Sequence, residues 1–346
     1  MRNKGFHRSQ FLFAMLLFAV IFANAVPASA DYHLLKKVVL GGEGFWDYLT
    51  VDVPNRHVFI SRSTHVMVVD ADTYAVVGDI PDTKGVHGIA IATDLGRGYT
   101  SNGGSNTVTI FDLKSFKVLG TAPTGEGPDA IVYDPASHRV FTMNGHGQSA
   151  TAIDGATGTV AGTFPLGGRP EFATADGAGH VYANLEDKSM VVAIDSSALK
   201  VLNTWPLAPG DSPSGMAIDA AHRRLFCGCH NKMMAIMDAD SGKVVASPAI
   251  GQGVDANGFD PGTELAFSSN GDGTLTVVHE DSPDKFTVVG NVSTQRGART
   301  MALDTKTHNV FLVTAEFGPT PAPTADQPRP RPSMVPNSFT LLVYGN

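Results

Sequence analysis

From residue 47 onward the chain repeats one pattern of apolar and polar positions seven times. In each copy a run alternating small and large side chains ends in a polar turn, a second run usually centred on an aromatic follows, and a third apolar run leads to an acid. The second-run position holds Phe59, Tyr99, Phe141, Tyr182, Phe226, Ala266 and Phe311, which are 40, 42, 41, 44, 40 and 45 residues apart. The acid comes 11 to 14 residues later, at Asp70, Asp112, Asp154, Asp195, Asp238 and Glu280, and the seventh copy ends without it at Tyr344. Period-two alternation marks strands, and a repeat near 40 residues falls where four-stranded propeller blades fall.

Residues 86–121 show the unit. Gly88-Ile89-Ala90-Ile91 predicts an innermost strand, residues 98–102 and 107–111 the second and third, and residues 115–119 the approach to a fourth. The fold class expected is all-β, a seven-bladed β-propeller of four-stranded blades. On the innermost strand the small series Thr50, Ala90, Val132, Thr174, Ala217, Gly258 and Ala302 is expected to face the crowded axis. The interleaved series Val51, Ile91, Tyr133, Ala175, Ile218, Phe259 and Leu303 is expected to pack between blades. The seventh copy lacks a fourth strand, and residues 33–42 look like the blade-ending run Lys117-Val118-Leu119-Gly120, so the N-terminus is expected to complete the last blade. The recurring acid precedes turn sequences such as Ala71-Asp72-Thr73 and reads as a turn cap.

Tyr99-Thr100-Ser101-Asn102 followed by Val108-Thr109-Ile110-Phe111-Asp112 resembles the YVTN-repeat β-propeller family, and Phe141-Thr142-Met143-Asn144 with Ala152-Ile153-Asp154 is a second copy. The resemblance spans residues 33–346. It implies a seven-bladed propeller exported from a bacterial cytoplasm, in a group that includes binding proteins, cofactor enzymes and lactonases.

Composition narrows the setting. Arg2, Lys4 and Arg8 precede an apolar run over 11–25 and then Ala28-Ser29-Ala30, so residues 1–30 read as a secretory signal and residues 31–346 as one domain, periplasmic or secreted. No other segment is apolar and long enough for a membrane span. The mature chain carries 22 Lys plus Arg against 33 Asp plus Glu, a balance of −11, which disfavours nucleic acid and anionic lipid. Cys227-Gly228-Cys229-His230 is one residue short of the haem-attachment pattern, and two cysteines two apart on a strand are poorly placed for a disulfide.

Candidate chemistry lies where the copies differ. The position just before each innermost strand reads Asp47, His87, Asp129, Glu171, Ser214, Asp255 and Arg299, an unlike polar ring expected at the channel mouth and taken as the ligand-binding set. Strict alternation puts these side chains between blades, so they point inward only if the backbone kinks. His87, Asp129 and Glu171 come from consecutive blades and suit a divalent ion: calcium, manganese or magnesium by their oxygens, zinc by the imidazole. Arg299 either clamps an anionic ligand or pairs with the ring's own acids. Asn102, Asn144, His146, Glu186, His230 and Glu316 are expected to form a second tier, and His87, His146 and Asp255 are the candidates for acid or base work. Trp46 and Trp205 are expected near the same face.

The seventh copy spaces Phe311 and Tyr344 by 33 residues, and its extra segment, 317–337, holds seven prolines that should keep it out of a sheet; by strand order it emerges on the polar face, where it is expected to fold over the channel mouth or present Arg329 and Arg331 to a partner. No Gly-x-Ser-x-Gly, His-Glu-x-x-His or phosphate loop occurs. The leading reading is an exported monomer binding a small ligand or a periplasmic protein. A metal-assisted hydrolase or lactonase and a redox partner holding quinone or haem are the alternatives.

Overall fold

Seven antiparallel sheets of four strands make up the fold in a computed structural model that describes residues 1–2, 31–324, 330 and 332–346. The leader read from residues 1–30, beyond its first two, and residues 325–329 and 331 of the proline segment lie outside the described residues. Blades 1 to 6 span 49–80, 86–123, 128–165, 170–206, 213–246 and 254–293; blade 7 spans 301–345. The innermost strand of each blade contacts that of the next, and blade 7 returns to blade 1, so the ring is closed. Among the described residues no helix is long and apolar enough to cross a membrane.

Blade 2 is built as its sequence suggests, from strands Val86–Ala92, Arg97–Asn102, Thr107–Asp112 and Val118–Pro123. The second-strand aromatics Phe59, Tyr99, Phe141, Tyr182, Phe226 and Phe311 are almost wholly buried. They pack across blade boundaries, as Phe59 does on Phe111 at 5.5 Å and Phe226 on Phe259 at 5.0 Å. Burying one such ring stabilises by roughly 2–3 kcal/mol, so the ring of blades is held chiefly by these apolar seams.

The small inner-strand series does not face the axis as expected. Ala90 packs in the core between blades 2 and 3, and Ile91 in the core between blades 1 and 2. Each blade stands radially, so both faces of its inner strand meet a neighbour and only its edge meets the channel. Small residues are needed because neighbouring inner strands nearly touch: a Cβ on Gly88 would lie 2.9 Å from Ile131, and one on Gly215 2.5 Å from Asn257.

The acids after the third strand cap turns in five blades. Asp70, Asp112, Asp154, Asp195 and Asp238 accept the amides of Thr73, Ser115, Thr157, Ala198 and Ser241 at 2.7–2.8 Å. Hydrogen bonds from the turn hold the carboxyls of Asp70, Asp112, Asp154 and Asp195 below their ordinary range. Glu280 departs from the series: its strand continues to Ser282 and its carboxylate is buried.

The N-terminal strand His33–Val39 pairs antiparallel with Thr340–Gly345 and supplies the fourth strand of blade 7. Arg62 locks that join. Its side chain is fully buried, it donates to the carbonyls of Gly41, Glu43 and Gly44 at 2.8–3.1 Å, and its guanidinium lies 3.6 Å above the Phe339 ring. Burial alone lowers its pKa to about 10, which leaves it charged at neutral pH. Arg62→Met would keep most of the packing and strand three carbonyls, so we predict a loss of about 3 kcal/mol in urea unfolding. An unchanged midpoint would show that the N-terminal seam holds without this residue.

Candidate functional site

Five of the seven ring residues are carried on backbone bulges. In blade 2 the register runs from Val86 opposite Asn102 to Ile89 opposite Thr100, which sets two residues, His87 and Gly88, against Ser101 alone. The same shift falls at Asp129, Glu171 and Ser214, and blade 6 has a register shift at Asp255. A bulge adds a residue and re-aims the side chain, which is the kink that strict alternation lacked.

Second-strand side chains fix several of these bulges to the next blade. Ser101 accepts the Gly88 amide at 2.8 Å and donates to the Asp129 carbonyl; Asn184 donates to the carbonyls of Ser214 and Gly215 at 3.0 and 3.1 Å. Ser269 does the same for the Arg299 carbonyl at 2.5 Å, and the Asp47 amide donates to Ser61 Oγ at 3.0 Å. The pinning side chains Ser61, Ser101, Asn184 and Ser269 are fully buried, so the ring residues they bond are held on rigid backbone.

Six ring members form two contact groups. His87 Nδ1 lies 2.6 Å from Asp47 Oδ2 and 3.6 Å from Asp129 Oδ1. On the other side, Arg299 Nε lies 3.3 Å from Asp255 Oδ2, and Ser214 Oγ donates to Asp255 Oδ1 at 3.4 Å. Arg299 thus pairs with one of the ring's own acids.

The electrostatics are those of a crowded acidic bowl. The hydrogen bond that His87 donates to Asp47 raises its pKa to about 9, keeping the imidazole protonated at neutral pH. Burial raises Asp129 and Asp255 to about 6 each, reinforced by Asp47, and raises Glu171 to about 8, reinforced by Asp129. Burial and the like charges together disfavour ionising all of these acids at once.

Two aromatics that the sequence reading passed over floor the bowl. The position after each ring residue is small in most blades (Gly88, Ala130, Gly215, Ala256, Thr300) but is Tyr48 in blade 1 and Phe172 in blade 4. Those blades stand across the ring from each other, and the two side chains meet over the channel with ring centroids 5.1 Å apart. Phe172 also reaches the cores of blades 4–5 and 6–7. The Tyr48 hydroxyl bonds to Asp129, and burial plus the surrounding Asp129, Glu171, Asp47 and Asp255 raise its pKa well above the ordinary value. It is a fixed donor. The signal was available: these are the two bulky exceptions in a small-residue series.

The remaining candidates divide. Asp47, His87 and Asp129 bring one ligand atom each within 4.8 Å of one another, so the set able to hold an ion contains Asp47 where the sequence suggested Glu171. Asn102 and Asn144 do not line the bowl: both are buried and bonded to neighbouring threonines, Asn102 to Thr100 and Thr109 at 2.8 Å. Glu186 pairs with Arg169 and lies 3.7 Å from His230, which extends the site outward beside Glu171. His146 is exposed on its loop over Gly127. Glu316 and the described base of the proline segment form a short ladder, with a bridge between Phe317 and Met334 that the prolines were expected to forbid. Phe317 rests 6.1 Å from Trp46, next to Asp47, so this base borders the bowl. Trp205 stands on the outer strand of blade 4 opposite Val191 and packs on Gly242 in a turn of blade 5. Cys227 and Cys229 are free and buried, and burial raises their pKa, Cys229 to about 11. A shallow pocket of about 450 Å³ between Gln252, Asp272 and Arg296 opens at the rim.

No protein-family model matches the chain, and no curated protein matches it in sequence. Among solved structures it is similar to the WD40 repeats of RRP9 (12% identity, TM-score 0.73, covering 91% of this chain and 98% of that one). It is similar also to U3-55K (11%, 0.73, 91% and 99%) and to a chain of a mitotic checkpoint complex (14%, 0.73, 97% and 99%). At such identities the likeness establishes the fold, a seven-bladed propeller with WD40-like neighbours, and leaves activity to the site.

The shifts fix a pH dependence. Glu171 holds its proton more tightly folded than unfolded, so stability falls as pH rises from about 4.5 through about 8; His87, raised to about 9, adds stability that is complete below about 6.5 and lost through 9. Both slopes have the same sign. Glu171→Gln should flatten the fall and leave the protein more stable than wild type at pH 8, on the order of 2 kcal/mol. Thermal melts from pH 5 to 9 check this, and a wild-type stability that climbs across that range would contradict it.

Proposed function

We propose that this chain is an exported propeller of the YVTN type that binds a small, positively charged ligand in the acidic bowl at its loop face. The observation that carries the reading is the imbalance of buried charge: Asp129, Glu171 and Asp255 are each pushed up by burial, and His87 and Arg299 are the cations in contact with the ring acids. A cationic group would offset that repulsion at a site already desolvated, and the Tyr48 and Phe172 rings offer it an aromatic surface. Binding is favoured over general-base catalysis because His87 is protonated at neutral pH and Tyr48 keeps its proton. Export rests on the leader at 1–30 and predicts a mature N-terminus at Asp31, which N-terminal sequencing of the secreted protein checks.

The clustering of Asp47, His87 and Asp129 favours one second reading, a metal-assisted hydrolase. A divalent ion would have to displace the His87 proton, and its Lewis acidity would then polarise a carbonyl or water.

Calorimetry on residues 31–346 with an alkyl diamine, a quaternary ammonium ion, manganese and a dicarboxylate separates the readings. The cationic organic ligands should bind, about tenfold tighter at pH 8.5 than at pH 6.5 because the ring carboxyls ionise, and Glu171→Gln should weaken them by a similar factor. Tighter binding of the dicarboxylate would sink the proposal. Manganese binding with no organic ligand bound would transfer the case to the hydrolase.

A further inference from the structure

Three departures from the repeat meet in the seam between blades 5 and 6, at the end of the ring opposite the bowl. The acid closing the innermost strand is capped in three other blades by the side chain three residues on: Asp52 by Asn55, Asp134 by Ser137 and Asp304 by Thr307. In blade 5 that acid is Asp219 and the capping position is His222. At other seams a basic residue of the following blade neutralises the inner acid, as Arg223 does for Asp176 at 2.7 Å and His308 for Asp260 at 2.6 Å. The matching residue of blade 6 is Glu264, so that cation is missing. The third departure is Glu280, which turns into this seam where its counterparts cap turns.

The result is two buried carboxylates with unmet demands. The side chains of Asp219 and Glu280 are 4% and 1% exposed. His222 Nδ1 stands 2.7 Å from Asp219 Oδ2 and 3.0 Å from Glu280 Oε1. Neither approach has hydrogen-bond alignment, so Asp219 Oδ2 and both Glu280 oxygens lack a donor among the described residues. Arg224 is close by but committed to Asp238 and Asp284 at 2.6 and 2.9 Å. Carboxylate oxygens without an aligned donor at such depth are costly, and the nearby His222 and Arg224 offset that cost only in part, since Glu280 stays raised.

We propose that Asp219, His222 and Glu280 form a divalent-metal site that ties blade 5 to blade 6. One imidazole and two carboxylates, with ligand atoms within 4.8 Å of one another, make a donor set for zinc or manganese. Donors around a tetrahedral ion with bonds near 2.0–2.1 Å stand roughly 3.3 Å apart, so His222 Nδ1, at 2.7 Å from Asp219 Oδ2 and 3.0 Å from Glu280 Oε1, would have to draw back from both to admit an ion. His222 is 44% exposed, which gives the ion a route in and leaves a further position for water.

The test uses residues 31–346 carrying His87→Ala, which silences the separate cluster in the bowl. Chelator-stripped protein is reloaded with zinc or manganese, desalted, and assayed for bound metal and thermal midpoint. One equivalent retained with a raised midpoint is expected, and Glu280→Gln should abolish the shift and weaken binding about 100-fold. His222→Asn, which restores the cap that Asn55 gives Asp52, should fold and also lose the metal, so the result does not hang on one variant. The proposal is overturned if the stripped protein takes up neither ion, or if either variant still retains one equivalent.

Discussion

The whole ring depends on the seam where the two ends of the chain meet. Blades 1 to 6 are completed by their own sequence, but blade 7 receives its outer strand from residues 33–39. Without it the Thr340–Gly345 strand would present a row of unpaired backbone groups, and the ring would close through side-chain packing alone. Arg62 holds the chain leaving that strand by three carbonyls while stacking on Phe339 of the last blade. A buried charge is an expensive fastener, yet it serves here because three acceptors and an aromatic face replace its water.

Closure has a geometric consequence for the site. Radial blades crowd at the axis, so their inner strands carry small side chains where neighbouring backbones nearly touch, as at Gly88 and Gly215. In blades 2 to 6 the ring residues emerge at bulges, where an added residue escapes the crowding. The pins at Ser101, Asn184 and Ser269 then pass each bulge's position on to the next blade. The ring acids are consequently held close together despite their repulsion, which is how a site comes to store electrostatic demand for a ligand.

The departures from the repeat carry different kinds of information. Tyr48 and Phe172 break a small-residue series and block the channel between opposite blades. His222 and Glu280 break capping series and leave carboxylates bare in a seam. In both cases the odd residues are far apart in sequence and adjacent in space.

Strand order, blade number and the N-terminal completion were legible in the sequence, because period-two alternation and a 40-residue repeat follow from local backbone geometry. The turn role of Asp70, Asp112, Asp154, Asp195 and Asp238 was legible for the same reason: the bonds they make stay within three residues. The polar ring could be recognised as a set, but not its direction, since a bulge at His87 depends on how Ser101 pairs across the strand. Nor could the sequence say that Asp47 rather than Glu171 stands beside His87, that Asn102 is buried, or that the small series faces neighbouring blades. Sequence determines which residues share a position in the repeat. Only the closed ring decides which of them meet, because contacts between blades depend on radial packing and register, quantities that no single repeat contains.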